Sequence, residues 1–147
     1  MKQTYSLIVM LLMTAIAFAQ QPIITGILDG PCTGGSPKGI EIFADNVDFE
    51  QFVLERSSNG GTFGSPEDLG SFNPATGTAS GFFYVVNHAA TFRSEFPNVA
   101  DANIIESGTV SVNGDDALRI VEAGTTNVVD QYGADGTDGL PGADGTD

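Results

Sequence analysis

The sequence predicts an all-β protein folded as a β-sandwich. Three observations carry this expectation. Seven or eight short runs rich in β-branched and aromatic residues are separated by Gly, Pro, Asn and Asp. The dipeptide Asn113-Gly114 is of the kind favoured in two-residue hairpin turns, where both positions must tolerate positive φ. Only residues 88–96 carry a helical spacing, so at most one short helix is expected there.

Residues 22–28 (PIITGIL) read as the first strand and 29–37 (DGPCTGGSP) as a loop. Residues 38–44 alternate, with Ile40 and Ile42 on one face and Glu41 and Phe43 on the other. Residues 49–56 (FEQFVLER) are a third strand, followed by a loop at 57–61. The run 81–87 (GFFYVVN) is the most hydrophobic and is expected to form a central strand buried on both faces. In 88–96, Ala89, Phe92 and Phe96 share a helical face, and Pro97 ends it. Short strands are expected at 103–106 and 109–112. The Asn113-Gly114 turn then lets 116–122 (DALRIVE) pair back, and 127–132 (NVVDQY) is the last strand.

The N-terminus reads as an export signal. Lys2 supplies a positive start, residues 7–18 are apolar except Thr14, and Ala17-Phe18-Ala19 fits the small-x-small rule for cleavage before Gln20. A spanning helix needs roughly 20 apolar residues, and this run is shorter. Residues 1–19 are therefore expected to be a cleaved signal peptide. The remainder is expected to be secreted, extracellular or on the cell surface, with no membrane span after cleavage. The single cysteine, Cys32, follows Asp29-Gly30-Pro31 rather than the apolar run, so it lacks a lipoprotein setting. Alone, it cannot close an internal disulfide.

Charge narrows the partners. The whole chain carries a formal charge of −14, and losing Lys2 with the leader takes it to −15. Lys38, Arg56, Arg93 and Arg119 are the only strong bases that remain. Nucleic-acid affinity depends largely on Lys and Arg neutralising phosphates, so direct nucleic-acid binding by this segment is not expected. Calcium, a basic extracellular protein or a carbohydrate suits the composition better; the acidity can equally serve solubility alone.

Further residues sharpen the fold class. The first strand, Asp29-Gly30-Pro31, Gly34-Gly35-Ser36-Pro37-Lys38 and Ile40-Glu41-Ile42-Phe43 resemble the opening of bacterial lamin-tail domains. There, variants of E-x-x-x-G-x-x-K-x-x-E-L/I-Y start the fold; Gly26 stands here where Glu is common. Asn113-Gly114-Asp115-Asp116-Ala117-Leu118 and Val128-Val129-Asp130-Gln131-Tyr132-Gly133 resemble that family's closing hairpin, N-G-D-D-A-I/L … V-V-D-x-F/Y-G. The resemblance covers about 22–133. It implies an immunoglobulin-like β-sandwich over 20–132 and a non-catalytic accessory role, often beside secreted nucleases, phosphatases or surface-anchoring modules. The family has no agreed catalytic residues, and none is carried over. Related copies continue into an aromatic-rich segment; this chain departs from them by entering a Gly/Asp tract.

That tract, 133–147, places Gly at 133, 136, 139, 142 and 145, the collagen G-X-Y period. Residues 133–141 also nearly match the calcium-binding nonapeptide G-G-x-G-x-D-x-U-x. Asp135, Asp138, Asp144 and Asp147 are accordingly the calcium candidates, because calcium takes several oxygen ligands. A third reading is a flexible acidic loop, duplicated once. Fifteen residues are too few for a stable triple helix, and the stop in mid-repeat suggests a piece of a longer protein.

No catalytic constellation is legible, and the chain is not expected to be an enzyme. His88, the sole histidine, is expected to cap or flank the helix; a zinc site would want further His or Cys. No serine sits in a nucleophile-elbow setting. Asp115-Asp116 could suggest paired-carboxylate chemistry, but they follow a turn, where Asp is favoured for local hydrogen bonds. Residues 59–64 are Gly-rich yet lack the Lys-Ser/Thr of a phosphate loop, and read as a surface loop. Phe82, Phe83, Tyr84, Phe92 and Phe96 are expected in the core. The functional expectation is a secreted binding or tethering module. The alternatives are the N-terminal accessory region of a secreted nuclease or other hydrolase, and the globular head of a collagen-like stalk.

Overall fold

The computed structural model describes residues 20–32, 34–75, 77–112 and 116–133. It contains eight strands among these residues: β1 (Ile23–Cys32), β2 (Ser36–Val47), β3 (Phe52–Ser57), β4 (Gly64–Asp68), β5 (Ala79–Val86), β6 (Ile104–Glu106), β7 (Ala117–Glu122) and β8 (Val128–Tyr132). One helix, α1 (Ala89–Glu95), follows β5. The strands form two sheets, ordered β1-β2-β5-β6 and β4-β3-β7-β8. Every pair is antiparallel except β5 with β6. This is the predicted all-β sandwich. No helix among the described residues is long and apolar enough to cross a membrane.

Alternation builds the core. Ile40, Ile42 and Val85 point inward from the first sheet and meet Leu54, Leu118 and Ile120 of the second; all six are fully buried. Each such side chain contributes about 1.5–3 kcal/mol relative to exposure. Phe49, Phe72 and Phe83 fill one region of this core, with ring centroids 5.0–5.2 Å apart. Where β1 approaches β8, the Ile24 amide donates to Asp130 Oδ2 at 2.7 Å, tying the two sheets together. Gly39 is required in the middle of β2, because a Cβ there would lie 2.6 Å from the Val85 carbonyl oxygen.

Several expectations need correction. Much of the loop expected at 29–37 is strand: β1 runs on to Cys32 and β2 starts at Ser36, with Asp29 opposite Lys38. Ladder pairing overrides the local Gly and Pro signals there. The strand expected at 49–56 begins instead with a 3₁₀ turn, Phe49–Gln51, whose Glu50 amide donates to Asp48 Oδ1. β4 was not anticipated: GSPED contains no β-branched residue and is strand because it pairs with β3. The strand expected at 109–112 is largely a 3₁₀ turn, Gly108–Val110, capped by Ser107. β7 therefore does not pair back on it; β7 lies between β3 and β8.

β5 is central, as expected, but only its C-terminal half is buried on both faces. Val85 and Val86 are fully buried, whereas Phe82 is 48% exposed. The difference is α1. Its Phe92 is fully buried in a cluster with Val86 and Ala89, against which Leu28, Tyr84 and Ile104 pack. His88 occupies the helix N-cap without a side-chain capping bond. Glu106 does that work, accepting the Ala89 amide through Oε2 at 2.9 Å. Residues 1–19, where a signal peptide is expected, Asn113-Gly114-Asp115 and the residues beyond Gly133, with Asp135, Asp138, Asp144 and Asp147, lie outside the described residues, as does the side chain of Cys32.

Candidate functional site

Two surface features stand out once the core is accounted for. The first follows from the same alternation that fills the core. With Ile40, Ile42 and Ala44 inward, Glu41, Phe43 and Asp45 must face outward. Register sets Ile23 opposite Phe43 and Phe43 opposite Phe82. The three make one apolar row across β1, β2 and β5, exposed by 52, 37 and 48%. The two rings lie 5.3 Å apart between centroids, tilted by 55°. Contiguous exposed apolar surface of this kind marks interaction sites more often than isolated hydrophobes do.

Glu41 borders the row. It accepts from Thr25 Oγ1 and from the Tyr84 hydroxyl, each at 2.9 Å. Burial, aided by the adjacent Glu41 carboxylate, pushes the Tyr84 phenol above its ordinary pKa. Beyond Tyr84 lies the half of the face that α1 covers.

The second feature is a cleft of about 440 Å³ at one end of the sandwich. Gln20 before β1 lines it, the β2–β3 corner supplies Asn46, Asp48, Gln51 and Phe52, the hairpin between β7 and β8 supplies Glu122, Ala123 and Thr125, and Thr78 precedes β5. The Ala123 amide donates to the Gln51 carbonyl at 2.7 Å, so hairpin and corner are locked together. Asp48 accepts from Asn73 Nδ2 (2.7 Å), the Glu50 amide (3.1 Å) and Gln51 Nε2 (3.3 Å). The Asn73 amide foremost, with the other two donors, holds its carboxyl below the ordinary value, outweighing the opposing effect of desolvation. Within the hairpin wall Asn127 Nδ2 donates to Glu122 Oε2 at 2.8 Å, and Thr78 donates to Asn46 Oδ1.

The residues singled out in sequence are dispersed. His88 is exposed at the start of α1. Asp116 is buried, and its Oδ1 accepts the Asn59 amide at 2.9 Å. That bond reaches a distant loop; the turn at 113–115, where the local bond is expected, lies outside the described residues. Residues 59–63 form the expected surface loop, exposed or half-buried, and Gly64 already opens β4. Phe83 and Phe92 are core as expected; Phe82 and Phe96 are corrected to 48 and 43% exposed, because no element lies over them. No group of three or more His, Cys, Asp and Glu among the described residues could hold a metal.

All four strong bases beyond residue 19 are engaged internally. Lys38 Nζ donates to the Val112 carbonyl and approaches Asp29 at 3.3 Å. Arg56 reaches the Gly108 and Ser111 carbonyls. Arg93 pairs with Asp101, and Arg119 binds Glu55 twice while lying 4.0 Å from the centre of the Phe63 ring. The apolar row was partly legible, since Phe43 shares a strand face with Glu41. The cleft left no sequence signal, because Asn46 and Glu122 are joined only by the fold. No family model, curated protein or solved structure matches this chain.

Proposed function

We propose that the chain is a secreted, non-catalytic module of lamin-tail type that binds and tethers an extracellular protein through the Ile23, Phe43 and Phe82 row. The observation that carries this reading is the uncovered row itself, on a sheet whose other half the chain covers with its own helix. The strand order lends support to the immunoglobulin-like part. β1-β2-β5 facing β3-β7-β8 corresponds to A-B-E facing C-F-G in such sandwiches.

Charge selects the partner's chemistry. Glu41 and Asp45 lie on the same outward face as Phe43, and the chain as a whole is strongly acidic. A basic surface carrying apolar side chains complements both features. A second copy of this chain would bring like charge to the contact.

The test titrates a synthetic peptide alternating Lys with Phe into the protein, followed by NMR. Shifts centred on Ile23, Phe43 and Phe82 that vanish in the folded Phe43→Thr/Phe82→Thr variant support the reading. Equal binding by that variant, no binding by the wild type, or self-association through the same row would overturn it. Hydrolysis of phosphate esters or glycosides by the purified protein would overturn the non-catalytic part.

A further inference from the structure

We propose that the cleft between the β2–β3 corner and the β7–β8 hairpin is a saccharide-binding subsite. The inference rests on the reading of the chain as a binding module. It adds a second ligand, of different chemistry, at a different place.

The cleft is preformed. Its two main walls are joined by the bond from the Ala123 amide to the Gln51 carbonyl, and the corner is pinned by the donors gathered on Asp48. A wall that need not order itself on binding loses less affinity to entropy. Its volume of about 440 Å³ suits a small molecule, and although most lining residues are polar, the surface they expose with Phe52 and Ala123 is more apolar than polar.

The ligand class follows from what the walls have left to offer. Asn46 uses its Oδ1 on Thr78, so its Nδ2 has no partner among the described residues. Gln51 spends Nε2 on Asp48 and keeps Oε1; Glu122 spends Oε2 on Asn127 and keeps Oε1. Gln20 adds a side-chain amide with no partner among the described residues, so donor groups on Asn46 and Gln20 and acceptors on Gln20, Gln51 and Glu122 remain. No Lys, Arg or His lines the cleft, and the amino group that cleavage before Gln20 would create there offsets only one of the two carboxylates, so phosphate, sulfate or a sugar acid would still meet net negative charge. A purely apolar ligand would leave these groups unpaired. An organic cation would meet the charges of Asp48 and Glu122 but offers no acceptor to the Asn46 and Gln20 amides. A neutral sugar fits best, because each hydroxyl both donates and accepts.

The experiment applies calorimetry and saturation-transfer NMR to the chain as secreted. The probes are neutral oligosaccharides of glucose, mannose and N-acetylglucosamine, with an oligoglucuronate and spermine as charged arms. The expected result is neutral-sugar binding with Kd near 1 mM or tighter, on the order of a single-subsite affinity. Glu122→Gln and Gln51→Ala should each weaken it about tenfold. Asn46→Gly should do the same; it removes the amide while keeping the positive φ of 57° that position adopts. Phe43→Thr/Phe82→Thr should bind sugar unchanged, so failure of the docking face and failure of this subsite are told apart. Absence of binding by every neutral sugar, tighter binding of spermine or oligoglucuronate, or sugar binding indifferent to the three cleft variants would each overturn the proposal.

Discussion

The outer face of the first sheet is divided into two halves of similar composition and opposite fate. In one half, Leu28, Tyr84, Val86 and Ile104 pack with α1, whose Phe92 is fully buried. In the other, Ile23, Phe43 and Phe82 lie side by side in the open. Both halves are apolar at cross-strand positions. What separates them is whether the chain itself supplies a cover. Seven helical residues reach only about 10 Å, and α1 spends them over the C-terminal half of β5. Glu41, held by Thr25 and Tyr84, marks the boundary. The comparison shows where apolar area already stabilises the fold and where it remains available for a partner.

The largest expected effect tests the covered half. Phe92→Ala should cost about 3–5 kcal/mol in urea unfolding, the usual result of deleting a fully buried ring. Glu106→Ala comes next. It removes the acceptor for the Ala89 amide and should cost about 1–2 kcal/mol, with faster amide exchange confined to α1. The open half should be far less sensitive. Phe43→Thr/Phe82→Thr should cost about 1 kcal/mol or less, since only an exposed cross-strand ring pair is lost. A cost equal to that of Phe92→Ala would erase the distinction between the halves.

The smallest effect lies on the boundary. The folded-state pKa of Tyr84 is raised above the ordinary 10.0, first by burial and then by Glu41. A raised pKa contributes stability that is fully present below the unfolded value and is lost as pH rises through the folded one. Stability followed from pH 8 upward should therefore fall in the alkaline range, roughly above pH 10. Tyr84→Phe should remove that component while leaving the neutral-pH fold intact.

How far the sequence could be read depends on whether the information was local. The inward pair Ile40 and Ile42 and the outward pair Glu41 and Phe43 were legible, because a period of two needs no knowledge of neighbours. The helix over 88–96 was legible from Ala89, Phe92 and Pro97. β4 was not, since Gly64-Ser65-Pro66-Glu67-Asp68 becomes strand only when β3 offers its edge. The local pattern at 109–112 suggested a strand, yet Gly108–Val110 turns instead. Asp116 reads as a turn residue, and its bond to the distant Asn59 amide left no local signal.

The residue pattern alone determined the all-β class and its alternating core, because backbone period and side-chain polarity act over a few residues. Pairing decided the rest. The register that aligns Ile23 with Phe43 and Phe82, the placement of α1 over only half a face, and the meeting of Asn46 with Glu122 at one cleft all join positions far apart in the chain. Side-chain alternation says which face a residue takes. Only the folded sheets decide what, if anything, stands opposite it.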